Sequence, residues 1–165
     1  MKDRFLCVLA QYDSNTEKKL NEIQKSLRES GLLGRQTPNL PNHITLGTFD
    51  PAMENELKER IKELAGRTHK IKTSFNNIGL FGMEVLFIAP SVTHELLDLQ
   101  SKFNNKYAYG SSWTAHTTML IDNPDMIQKA LPVVAENFSP FSGYIESISL
   151  YEFWPSRFIL EERLI

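Results

Sequence analysis

The chain has 165 residues, enough for one good-sized domain or for two small lobes that share a core. With 41% hydrophobic and 23% charged residues, its composition excludes a disordered or fibrous protein. Its 18 basic and 20 acidic residues nearly balance, so net charge makes no case for a nucleic-acid or membrane binder, although a local basic patch stays open.

Arg4 to Ala10 is apolar and β-forming and reads as a strand. It contains the single cysteine, Cys7, which has no partner for an internal disulfide and no thiolate-stabilising neighbour; a structural cysteine in a reducing compartment is expected. The apolar run is too short for a signal peptide or a membrane span, so the expectation is a cytoplasmic protein without membrane contact. Asp13 to Thr16 then offers helix caps, and Leu20, Ile23, Leu27 and later Leu32 and Leu33 recur at helical spacing before Gly31 and Gly34 end the helix. Pro38 and Pro41 forbid a helix on the approach to His43–Phe49, which reads as a strand. Asp50-Pro51 opens a second helix with Met53, Leu57, Ile61 and Leu64 on one face. Lys70–Phe81 alternates, Gly82-Met83 turns, and Glu84–Ala89 is an apolar strand. Ser91 to Thr93 caps a third helix carrying Leu96, Leu99 and Phe103. A Tyr/Gly/Ser stretch leads into the strand His116–Ile121, and Asp122-Asn123-Pro124 opens a helix with Ile127, Leu131 and Val134 inward and Pro132 as a possible kink. Tyr144–Phe153 and Arg157–Ile165 read as the last strands.

That order is a duplication. Strand, helix, irregular approach, His-x-Thr strand, Pro-opened helix and strand occur twice, and Asn77-Ile78-Gly79-Leu80-Phe81 echoes Ser147-Ile148-Ser149-Leu150-Tyr151. The expected fold is α+β: a single bilobal domain over residues 1–165, with two pseudo-symmetric lobes, each an antiparallel sheet flanked by helices, around a central cleft.

On a strand, residues i and i+2 share a face, so His43 projects with Thr45 and His116 with Thr118. Two imidazoles and two hydroxyls around one centre suit a phosphate. The hydroxyls donate to non-bridging oxygens, one imidazole takes a proton from the attacking oxygen, and the other gives one to the leaving oxygen. A metal site is the chemical competitor, but two histidines are an incomplete zinc shell and nothing aims Asp50 or Asp122 at them, so no metal is expected.

His43-Ile44-Thr45-Leu46 and His116-Thr117-Thr118-Met119 resemble the twin His-x-Thr-x signatures of the 2H phosphoesterase superfamily, which includes 2′–5′ RNA ligase-like proteins and cyclic nucleotide phosphodiesterases. Pro41 to Leu46 is similar to its common first-motif form, and Gly79-Leu80-Phe81-Gly82 with the following strand looks like the hairpin linking its halves. Met119 stands where Leu or Val is commoner. The resemblance implies a bilobal fold, metal-independent chemistry without a cofactor, and a nucleotide or RNA-end substrate with a 2′,3′-cyclic phosphate or 2′–5′ linkage. A ligase running the same site backwards, or a non-catalytic binder of RNA ends, are the alternatives, and retention of both histidines argues against the latter.

Other residues weigh less. Tyr107, Tyr109 and Trp113 precede the second motif and are candidates to stack a nucleobase, with core packing as the competing reading. Arg35 and Arg157 are candidates to grip a second phosphate, with solvated surface as theirs. Trp154 beside Pro155 reads as turn packing, His69 as a surface loop residue and His94 as a helix opener.

Overall fold

A computed structural model describes residues 3–103 and 113–165. In chain order it contains β1 (Phe5–Tyr12), α1 (Ser14–Glu29), β2 (His43–Phe49), α2 (Glu54–Ala65), β3 (Ile71–Phe81), β4 (Val85–Pro90), α3 (His94–Ser101), β5 (Thr117–Ile121), α4 (Pro124–Asn137), β6 (Phe141–Phe153) and β7 (Arg157–Arg163). His116 lies one residue ahead of β5, and Asp50-Pro51 starts a short 3₁₀ turn (Pro51–Met53) that leads into α2.

The expected pair of separate sheets is one sheet with two halves. All strands pair antiparallel in the order β2-β1-β6-β3-β4-β5, with β7 also on β6. The join is β6, whose 13 residues span about 40 Å at the usual strand rise. Its start, from Phe141 to Ile145, pairs with β3, while the rest pairs with β1 and β7. Each repeat exchanges its last strand: β6 lies beside β1, and β3 beside β4. The halves are nonetheless equivalent residue by residue. Thr45 pairs with Leu9 and Leu9 with Ser149; Thr118 pairs with Phe87 and Phe87 with Gly79.

Both motif strands bulge at the same place. The register skips Leu46 between the Val8/Gly47 and Leu9/Thr45 pairs, and it skips Met119 between Leu86/Leu120 and Phe87/Thr118. A bulge leaves one residue unpaired and breaks the alternation. Consequently Ile44 and Leu46 are buried, as alternation predicts, but so is Gly47, and Thr48 returns to the other face; β5 repeats this with Met119, Leu120 and Ile121. Glycine at 47 is a steric necessity, since a Cβ there would sit 2.3 Å from the Phe103 carbonyl oxygen.

One core joins the two halves, containing Leu6, Val8 and Ala10 of β1, Leu20, Ile23 and Leu27 of α1, Leu57 and Ile61 of α2, Leu96 and Leu99 of α3, and Ile127, Ala130 and Val134 of α4. Asp13, Thr93 and Asn123 cap α1, α3 and α4 through side-chain oxygens, as their residue types favour. Helix α1 stops at Glu29; Leu32 still reaches the core beyond it, while Leu33 is exposed. Pro132 sits inside α4, and Ala130 takes the fully buried position where Leu131 is only partly buried. The other face of β1 is covered as well: Cys7 and Leu9 cluster with Phe153, and Phe5, Leu40 and Tyr151 pack against them.

Candidate active site

His43, Thr45, His116 and Thr118 line a single cleft of about 220 Å³. Each motif strand lies at one end of the sheet order, and the sheet's curvature brings the two ends together. Hydrogen bonds fasten them across the repeat. The buried Tyr12 hydroxyl meets Thr117 Oγ1 at 2.5 Å. The Trp113 indole N–H donates to the Thr45 carbonyl at 3.0 Å, and Gln24 Nε2 donates to the Thr118 carbonyl at 3.4 Å. The loop before the first motif is tied to β5 twice, by Arg35 N–H to the Ile121 carbonyl at 2.7 Å and by Ile121 N–H to Gln36 Oε1 at 3.1 Å. Gly34 starts that loop with a φ of +72°, a conformation that favours glycine.

The two imidazoles are held alike. His43 Nδ1 lies 2.7 Å from the Pro41 carbonyl oxygen and His116 Nδ1 lies 2.8 Å from that of Thr114. A carbonyl only accepts, so in the neutral ring each Nδ1 carries the hydrogen and each Nε2 the lone pair. Burial holds the His43 pKa below the ordinary histidine value; the Pro41 hydrogen bond opposes this, and the charge of His116 adds to it. Burial lowers that of His116 too, against the Thr114 hydrogen bond. The charge of each ring disfavours charge on the other, so the state with both rings protonated is disfavoured.

The halves differ in what surrounds the rings. His116 packs edge-on to Phe81, with centroids 4.6 Å apart, and against Phe87 at 5.4 Å. At the place equivalent to Phe87 the first half has Leu9. On the cleft wall, Cys7 has its thiol raised to about 11 by burial, so it stays protonated at neutral pH and offers no nucleophile.

Residues 12–153 match the sequence profile of the 2′–5′ RNA ligase superfamily. The chain belongs to that superfamily, the 2H phosphoesterases. No curated protein matches the sequence. Solved structures with the same fold include TT0787 of Thermus thermophilus (12% identical, covering 97% of each chain, TM-score 0.67). E. coli LigT complexed with 3′-AMP is 13% identical over 99% of each chain at a TM-score of 0.66. A protein described as a phosphoesterase is 14% identical over 98% of each chain at 0.64.

In this 2H chain the described subsidiary candidates do not line the cleft. Trp113 does not line the cleft; it is half-buried against the core, and its N–H is taken by the Thr45 carbonyl, so it braces the first motif. Arg35 is exposed and does not line the cleft, and its backbone N–H is bonded to the Ile121 carbonyl. Arg157 also lies off the cleft, bound by Glu54 at 2.7 Å and Glu152 at 2.8 Å, and these two carboxylates offset its charge. Tyr107 and Tyr109 lie outside the described residues. His69 and His94 are exposed and do not line the cleft. Sequence reasoning missed Phe5, Leu40, Phe153 and Trp154, which do line it. The signal was the period-2 pattern of β1: Phe5, Cys7 and Leu9 share a face opposite Leu6, Val8 and Ala10, and a strand apolar on both faces must have both covered.

Proposed function

We propose that the chain is a metal-independent phosphoesterase acting on 2′,3′-cyclic phosphate or 2′–5′ phosphodiester linkages of a nucleotide or RNA end. The observation that carries this is the matched pair of imidazoles, each with Nδ1 on the carbonyl two residues before it, in one cleft with two threonine side chains. One neutral Nε2 accepts the proton of an attacking water. The other ring, protonated, gives its Nε2 proton to the departing ribose oxygen. The hydroxyls of Thr45 and Thr118 donate to the non-bridging phosphoryl oxygens as charge grows on them. After one turnover the acid and base have exchanged protonation states; the new imidazolium releases its proton to solvent and the spent acid takes one up, which restores both. The solved structures of E. coli LigT with 3′-AMP, NADP+ and ATP support a nucleotide as the ligand class.

Metal independence rests on the donor set. Among the described residues no three His, Cys, Asp or Glu side chains group to hold an ion, and the cleft wall offers two imidazoles and a protonated thiol. The test is hydrolysis of 2′,3′-cyclic nucleotides and 2′–5′ dinucleotides after exhaustive dialysis against EDTA. Unchanged turnover is expected. Loss of turnover that zinc or manganese restores would overturn the acid–base reading.

A further inference from the structure

Helix α1 carries a polar stripe that reaches both motifs. Glu17, Asn21 and Gln24 recur at helical spacing, beside the buried stripe of Leu20, Ile23 and Leu27. Gln24 Nε2 donates to the Thr118 carbonyl of the second motif. Glu17 and Asn21 serve the first. The backbone N–H of Asn42 donates to both Glu17 carboxylate oxygens, at 3.1 and 3.2 Å, and the Asn42 side-chain amide donates to Asn21 Oδ1 at 2.9 Å. Asn42 is buried, so its N–H needs a partner inside the protein. Burial pushes the Glu17 pKa up, and the hydrogen bonds from Asn42 and Asn21 oppose it.

The peptide that Glu17 grips is the one that clamps His43. The Pro41 carbonyl, 2.7 Å from His43 Nδ1, and the Asn42 N–H belong to the same planar group. Its two ends cannot turn independently, so a carboxylate that fixes the N–H also aims the carbonyl. The second motif is built differently. Ala115, with no polar side chain, stands before His116 where Asn42 stands before His43. We infer that Glu17 is a positioning residue for His43: through the Pro41–Asn42 peptide it holds the imidazole in its Nδ1–H form, with the lone pair on Nε2. This deepens the phosphoesterase reading and rests on it, since a base oriented by a third group is the arrangement proton transfer needs.

Two conservative variants separate reach from charge. Glu17→Gln gives up the charge and keeps an acceptor at the same reach. Glu17→Asp keeps the charge in the first turn of α1 but draws it back by one methylene from the Asn42 N–H. Each is assayed for kcat and KM with a nucleoside 2′,3′-cyclic phosphate, and the ring nitrogens are read by ¹⁵N NMR at a pH where both imidazoles are neutral. Glu17→Asp is expected to lower kcat by up to about 10²-fold with KM little changed. It should also move His43 from the Nδ1–H form toward a mixture of tautomers, while the His116 signals stay as in wild type. Glu17→Gln should resemble wild type in every reading. A Glu17→Asp protein that matches wild type, or a Glu17→Gln protein as impaired as Glu17→Asp, would overturn the inference. So would a tautomer change without loss of kcat, a loss of kcat without a tautomer change, or His43 and His116 shifting together. If wild type turns over neither cyclic phosphates nor 2′–5′ linkages, the phosphoesterase reading fails. The NMR series then decides by itself: a His43 tautomer that follows the reach of residue 17 upholds the positioning, and one indifferent to it sinks the claim.

Discussion

Removing the Tyr12 hydroxyl tests whether the two repeats are locked together at their motifs. Tyr12 ends β1, and Thr117 lies between His116 and Thr118. Their 2.5 Å hydrogen bond is sealed, with Tyr12 at 7% exposure and Thr117 at 1%. Tyr12→Phe leaves the Thr117 hydroxyl buried without that partner, which costs about 1–3 kcal/mol. For a chain of this size each kcal/mol moves Tm by roughly 2–4 °C, so the expected drop is about 2–12 °C. Thr117→Val should cost a comparable amount, because it strands the Tyr12 hydroxyl. The double variant replaces both polar partners with apolar groups of similar shape, so it should lose much less than the sum of the singles, with a coupling on the order of 1 kcal/mol. Thermal and urea unfolding of the four proteins measures the cycle. Additive losses, or a Tyr12→Phe protein as stable as wild type, would refute the claim that this bond joins the halves.

His43→Ala and His116→Ala should each lower kcat/KM by about 10²–10⁴-fold with the circular dichroism spectrum unchanged, and the double variant should fall little further because the two rings act as a unit. Near-wild-type turnover in either single variant would remove the pair from the chemistry. Because burial lowers both imidazole pKa values, the free enzyme loses its acid as pH rises through a value below 6.5 and loses its base as pH falls further. The kcat/KM profile should therefore be a bell with both limbs on the acid side of an ordinary histidine, while the kcat profile shifts alkaline because the bound anion favours the imidazolium; an alkaline limb of kcat/KM above about pH 7.5 would contradict this. Gly47→Ala should cost about 1–3 kcal/mol, read as a lowered Tm, since its Cβ would meet the Phe103 carbonyl at 2.3 Å and the Phe49 ring at 2.9 Å.

What local pattern encodes was legible, and what distant strands decide together was not. Alternation put His43 with Thr45 and Ile44 with Leu46 on opposite faces because the period of a strand is local, and the structure keeps those faces. The same alternation fails one residue later. Leu46 and Met119 are bulged, a property of register against β1 and β4 that no single strand displays, and it turns Thr48 and Ile121 outward. The duplication showed in the echo of residues 77–81 and 147–151, yet it did not reveal that β3 and β6 change places between repeats, since adjacency in a sheet is set by the whole chain. The aromatics and arginines show the same limit. Trp113 and Arg157 were plausible ligand contacts by type, but a Thr45 carbonyl and two carboxylates, all far away in sequence or set by the fold, already hold them.

The equivalence of the halves bears directly on which histidine is the base. Their backbone clamps are the same, so the difference must come from the shells. Burial lowers both rings and is more complete for His43, while the charge of each ring disfavours charge on the other. A single proton on the pair is therefore expected on His116, the less buried ring, and the expected roles in hydrolysis are His116 as acid and His43 as base toward water. Proton NMR of the imidazole carbons should show His43 titrating at the lower pH of the two. His116→Ala should then raise the His43 pKa, because it removes the neighbouring positive charge. A His43 pKa that stays put or falls in that variant would break the electrostatic link between the two rings.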